Sequence, residues 1–313
     1  MTFNDCVIDL TEQTVEILPL IHKKFSGFNK LESVLLFRIL GLPTLDTVIL
    51  TDFGKEIFEF LKRKYKGKTF IVRTDRKKET ASLPRAGYKS STEDLFLHVP
   101  KLMGNGRIVF LLETSLSRYD HIYSMNLLFE YDRLIIEIVG RGFDVSDLNR
   151  GDISPHEILE IPLNYFYNFG SWDIYDLAPL DIACFRKFLV QKEEYRKSIE
   201  LRLSKIGRGL TEGGKNDKIC FEESLVKARK YLMDQGKTLI FEDNSNYQPI
   251  PFNLLKKIVR LVYYLPMEIF QFKKPIEVFS VSCGVYCTGQ IVFWDIVFPS
   301  IKFDLSKIKL NKA

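Results

Sequence analysis

Hydrophobic positions along the chain switch between a spacing of three to four residues and short continuous runs, and each switch marks a change of element. In residues 30–40, KLESVLLFRIL, Leu31, Val34, Leu35 and Ile39 fall on one helical face. Gly41 stands where such a helix stops, and Pro43 bars its resumption. TVIL (47–50) predicts a short buried strand, and 53–65 predicts a helix with Phe53, Ile57, Phe60 and Leu61 on one side. FIVR (70–73), RIVFLLE (107–113), RLIIEIVG (133–140) and EILEIPL (157–163) are strands by their branched and aromatic density. SMNLLFEY (124–131) pairs with 133–140 through a tight turn centred on Asp132. Between them and the next strand, residues 139–157 predict a long polar loop with Gly140, Gly142 and Gly151. Residues 179–206, 224–235 and 254–265 predict helices, with a Gly-rich linker at 207–217. The stretch 276–298 predicts a hairpin turning near Cys287–Gln290.

Strands and helices mixed in this way, with long loops, predict an α+β fold. Its 313 residues allow one large or two moderate domains with a sizeable core. The chain is 46% hydrophobic and 27% charged, which places it among globular chains. A net charge of +5 on 85 charged residues is too mild to imply a nucleic-acid partner, and the 25 Phe and 14 Tyr do not interleave with basic residues. No apolar run reaches 18 residues, and no basic flank precedes an N-terminal apolar stretch, so neither a membrane span nor a signal peptide is expected. The five cysteines are scattered, which argues against a disulfide framework and for a reducing, cytoplasmic setting. Cys283 and Cys287 lack a second pair or a nearby His, and four residues apart on a strand they predict two buried thiols.

Several segments, in order, resemble the nucleotide-binding region of phosphoenolpyruvate synthase and pyruvate phosphate dikinase, a branch of the ATP-grasp fold. Lys30, thirteen residues before Pro43, is similar to a family lysine that precedes a helix and a Gly-Leu-Pro turn. Val72-Arg73-Thr74-Asp75, followed by Glu79, Leu83-Pro84 and Gly87, resembles the family's Val-Arg-Ser-Ser loop. LLETSL (111–116) resembles the hinge strand at the adenine, and 135–161 the Gly-bearing segment that follows. PIEVFSV and GQIVFWDI resemble the terminal strand pair, Glu277 matching a glutamate and Asp295 replacing a glutamine. The chain departs from the pattern at Phe28-Asn29, where a glycine is expected, and at Pro275 and Val297, where the family has aspartate and arginine.

The resemblance implies two ATP-grasp lobes, residues 1–100 and 101–313, with a helical insertion at about 171–240 in the second. It implies Mg-ATP as cofactor and phosphoryl transfer or ligation as activity. Lys30 and Arg73 would be the phosphate-binding and catalytic cations, lysine as a point charge and arginine as a planar fork. Glu113 and the backbone of Ser115 would meet the nucleoside. Glu137 would need a cation, a metal or solvent, because an unpaired carboxylate inside an apolar strand is costly. Gly140 and Gly142 would let backbone N–H groups approach phosphate. Glu277 and Asp295 would hold magnesium. His156 reads either as an acid, base or phosphate acceptor or as a structural turn histidine. The phosphate acceptor would be a partner protein, a small molecule or a carboxylate. The rival reading is a degenerate module that binds nucleotide, or none, without chemistry.

Overall fold

The computed structural model describes residues 6–76, 88–104, 107–114, 120–130, 133–149, 152–162, 186–189, 192–210, 220–236, 247–266 and 278–297. Backbone contacts divide the chain into two units. The first comprises Met1–Ser115, Leu265–Ile276 and Val292–Ala313, and the second Leu116–Tyr264 and Glu277–Ile291.

The first unit is built on a five-stranded antiparallel sheet. Its strands are β1 (Val7–Asp9), β2 (Thr47–Leu50), β3 (Thr69–Arg76), β4 (Tyr88–Ser91) and β5 (Arg107–Glu113), in the order β1-β2-β5-β3-β4. Helices α1 (Leu18–Lys24), α2 (Asn29–Ile39), α3 (Lys55–Lys64) and α4 (Leu95–Leu102) complete it. Strand alternation sends Phe70 and Val72 to one face, where they join Val48, Leu50, Val109 and Leu111. Ile57 and Leu61 of α3 and Leu95, Val99 and Leu102 of α4 close this core. Leu61 is fully buried, and Leu61→Ala would cost about 2–5 kcal/mol. The same alternation turns Arg73 and Asp75 to the opposite face, where Phe110 and Ile108 are their cross-strand partners.

Helix α2 confirms the period read from 30–40, and Gly41 follows it with a positive φ of 70°. Its N-cap residue, Phe28, offers no side-chain acceptor. The orphan donors of the first turn go instead to β3: the Asp75 carboxylate accepts from the N–H groups of Lys30 (2.7 Å) and Leu31 (2.9 Å). Strand β11 (Ile291–Val297) runs past the other side of α2. There Ser33 donates its hydroxyl to the Ile296 carbonyl and accepts from the Ile296 N–H, and the Phe37 and Phe293 rings meet at a tilt, their centroids 5.8 Å apart.

In the second unit β6 (His121–Glu130), β7 (Arg133–Gly140), β8 (Glu157–Pro162), β9 (Arg186–Phe188) and β10 (Val278–Tyr286) are antiparallel neighbours in the order β10-β6-β7-β8-β9. The predicted pairing of 124–131 with 133–140 is present. One face buries Met125, Leu127, Phe129, Leu134, Ile136, Ile138 and Phe279, and the rings of Phe129 and Phe279 stack at 4.5 Å. The remaining helices are α5 (Val145–Asn149), α6 (Lys192–Gly209), α7 (Phe221–Asp234) and α8 (Phe252–Val262). The α6–α7 pair packs with Val139 and Phe143 in a second cluster. It closes so tightly that a Cβ on Gly207 would stand 1.8 Å from the Ser224 carbonyl oxygen.

Four expectations change. The loop at 139–157 contains α5, whose first turn is held by Asp144 and Asp147 side chains that accept from the N–H groups of Ser146 and Asp144. Residues 186–188, read as helix, form β9, because the edge of β8 offers them a ladder. Cys283 is buried but Cys287 is exposed, since β10 ends at Tyr286 after a register shift at Val285/Tyr286. Residues 88–91, for which no element was expected, pair with β3 as β4, and 77–87 lie outside the described residues.

Candidate functional site

The first unit gathers charge on the face of β3 opposite its apolar core. Arg73 lies 21% exposed over the Phe110 ring, its guanidinium carbon 5.8 Å from the centroid. Its two terminal nitrogens donate to the two carboxylate oxygens of Asp295, 222 residues away in the chain, at 3.3 and 3.4 Å. The contact is forked but long, near the outer limit of hydrogen bonding. The two predicted binding walls therefore touch, with no room for a triphosphate between these two side chains.

Two residues along the same strand face, Asp75 is buried and bonds the start of α2 as described above. Burial raises its carboxyl above the usual carboxylate value, against the N–H groups of Leu31, Arg76 and Lys30 and the nearby Lys30 charge. Lys30 thus stands beside Asp75, on the element that Asp75 ties to the Arg73 strand. Asp75 was missed as a site residue. The signal was available in the i, i+2 relation of Arg73 and Asp75, but its partner in α2 was not.

Glu113 ends β5 and accepts an ion-pairing hydrogen bond from Lys68, which raises the lysine above its ordinary value. Ser115 and Glu277 lie outside the described residues. Among the described residues no three His, Cys, Asp or Glu side chains are close enough together to hold a metal ion. Asp295 is thus the one predicted magnesium ligand that can be placed. One carboxylate with a guanidinium beside it fits a metal-bridged phosphate, since magnesium commonly takes one or two protein carboxylates and completes its shell with phosphate and water.

The remaining predicted residues belong to the second unit. Glu137 lies half-buried on β7, and its carboxylate accepts from the side-chain amide of Asn126 directly across on β6 (3.3 Å). Gly142 has a φ of 82°, open to glycine and strained for other residues. Gly140 spends its N–H on His156 Nδ1 (3.0 Å), and a Cβ there would meet Tyr195 and Tyr247 at 3.0 Å. His156 is boxed by the rings of Phe143, Tyr195 and Tyr247 and is 1% exposed. Burial pushes it down to about 4, so it is a neutral acceptor at Nδ1. Beside it, buried Glu157 accepts from the Tyr247 hydroxyl (2.7 Å). This environment is that of an interior histidine, away from solvent.

No family model and no curated protein sequence matches the chain. Solved structures resemble it distantly. D-alanyl-alanine synthetase A from Vibrio cholerae O1 biovar eltor is similar over 90% of this chain and 59% of its own, at 10% identity and a TM-score of 0.38. Carboxyaminoimidazole ribonucleotide synthase from Asperigillus clavatus, complexed with ATP, matches over 87% of this chain and 44% of its own, at 10% identity and a TM-score of 0.36. The ATP-grasp ligase PsnB matches over 88% and 53%, at 9% identity and a TM-score of 0.32. The chain spans 59% or less of the length of each of these three. Similarity this distant carries no residue role across. The α+β class rests on the two antiparallel sheets themselves. No helix of the described residues is long and apolar enough to cross a membrane.

Proposed function

We propose that the chain is an ATP-grasp-type enzyme that uses Mg-ATP for ligation or phosphoryl transfer to a partner protein, a small molecule or a carboxylate. One observation carries the reading: Arg73 and Asp295, singled out separately from sequence patterns more than two hundred residues apart, meet fork to fork on one sheet face. Five segments resembling the phosphoenolpyruvate synthase and dikinase pattern in order support it.

Arg73 and Lys30 would hold phosphate oxygens and Asp295 the magnesium; bound Mg-ATP supplies the transferable phosphoryl group. To bind it, Arg73 exchanges the Asp295 carboxylate for phosphate. Its present bonds are long and partly exposed to solvent, so the exchange gives up little, on the order of 1 kcal/mol. Phe110 beneath the guanidinium keeps the fork in plane through the exchange. Asp75 positions the start of α2, and with it Lys30, relative to Arg73. Glu113 would leave Lys68 to accept from the ribose or the adenine amine.

Thermal denaturation with and without Mg-ATP tests this. A ligand at about a hundred times its Kd adds roughly 2.7 kcal/mol. Arg73→Ala should abolish that shift, and a shift unchanged in the variant sinks the assignment. The second reading, a module that binds nucleotide, or none, without chemistry, is favoured by the mutual neutralisation of Arg73 and Asp295. It predicts no ADP released in the presence of amine or carboxylate acceptors, with or without a nucleotide shift.

A further inference from the structure

The first unit holds a second arrangement of charge, built from residues that the site above does not use. A cavity of about 540 Å³ opens beside β1, α1 and the end of α3. That volume lies within the range of small-molecule sites, roughly 300–1,000 Å³. One wall is apolar, with Ile17, Leu20 and Phe60. Leu20 is 68% exposed and Ile17 41%, although both are large hydrophobic side chains. The lining also carries the charged side chains of Asp9, Glu12, Lys24 and Lys64.

This charged group is built from the inside outward. Asp9, buried, has both carboxylate oxygens occupied. One accepts from the N–H and hydroxyl of Thr11 (3.0 and 2.6 Å), the other from the Tyr65 hydroxyl and from Lys64 Nζ at 2.9 Å. Burial works to raise the Asp9 carboxyl, but these bonds hold it below its ordinary value. Asp9 is therefore a fixed counter-charge that pins the Lys64 ammonium at the cavity. The second partner of Lys64 is different in kind: Glu12, at 2.7 Å, has a 61% exposed side chain. An exposed glutamate gains little from such a pair and can be exchanged for another anion. Lys24, at the same cavity, contributes a further positive charge. With Asp9 spent on Lys64, the charge left to a ligand is positive once Glu12 swings away.

The geometry points to a binding site for a small amphipathic anion, its carboxylate replacing Glu12 on Lys64 near Lys24 and its apolar body lying against Ile17, Leu20 and Phe60. The pinned ammonium gives orientation, and the exposed apolar wall gives most of the binding free energy by its burial.

Octanoate, 1-octanol and octylamine separate the contributions, titrated into the full chain by calorimetry and followed by thermal denaturation. Octanoate should bind saturably at one per chain, with the alcohol and the amine at least about tenfold weaker, a difference of roughly 1.4 kcal/mol. Leu20→Glu and Lys24→Glu, both at the surface, should each weaken octanoate about tenfold. Glu12→Gln should tighten it several-fold, because the competing carboxylate is gone. Absence of saturable binding, equal binding of the three compounds, or weaker binding by Glu12→Gln would overturn the site. So would sedimentation showing a dimer that Leu20→Glu dissociates, because the apolar wall would then belong to a second copy of the chain.

Discussion

Two Arg–Asp pairs, one from each unit, are built for different ends. In the second unit Arg202 of α6 meets Asp147 of α5 at 2.9 Å, with side chains 12% and 2% exposed. Asp147 also accepts from the N–H of Asp144, so the pair ties the Gly-bearing loop after β7 to the long helix α6. In the first unit Arg73 and Asp295 are further apart, at 3.3 Å, and 21% and 34% exposed. Both pairs use the same two residue types. Burial decides their role: taking a charge from water is expensive, so the more deeply buried pair holds its partner, whereas the partly exposed one can exchange it. Of these two, the Arg73–Asp295 pair is the one suited to open for a ligand.

The largest effect should come from the more deeply buried pair. Asp147→Ala leaves Arg202 buried without its carboxylate and should cost about 3–5 kcal/mol in urea denaturation. A loss below about 1 kcal/mol would erase the contrast.

Protons probe the same interior. His156 and His121 are both held by burial down to about 4, from an ordinary 6.5. In each case the unfolded chain takes up the proton first. Their contribution is therefore complete above pH 6.5 and is lost as pH falls toward 4, roughly 3 kcal/mol for each histidine. His156→Gln should remove about half of that acid dependence, read as the urea midpoint against pH. Equal slopes in wild type and variant would place His156 in contact with water.

Arg73→Ala should change stability by no more than about 1 kcal/mol, because a partly exposed pair with long contacts contributes little. Its effect should fall on the Mg-ATP shift. A large loss of stability with an intact nucleotide shift would turn the comparison around and make Arg73 a structural tie. Asp295→Asn should be milder still in stability, and should reduce the dependence of nucleotide binding on magnesium.

The elements legible in the sequence were those with enough residues to show a period. Helix α2 and strands β5, β7, β10 and β11 stand where the pattern put them. Strands β1 and β9, three residues each, and β4, four residues, carry no period of their own and exist through their ladders. Arg73 and Asp295 were legible as candidates through family resemblance. That they bond each other was not, and neither was Asp75 as the cap of α2, an acceptor 45 residues from its donor. The Asp9–Lys64 network left no local mark, because its members come from β1, the turn after it, and the end of α3.

The chain by itself determined where the longer helices and strands run, which of their faces is apolar, and the α+β class that follows. These properties repeat over a few residues and need no distant partner. The tertiary structure alone decided which charge meets which, and how deeply. Coulomb attraction and hydrogen bonding act over a few ångströms of space, and only the folded chain brings residues 73 and 295, or 147 and 202, within that reach.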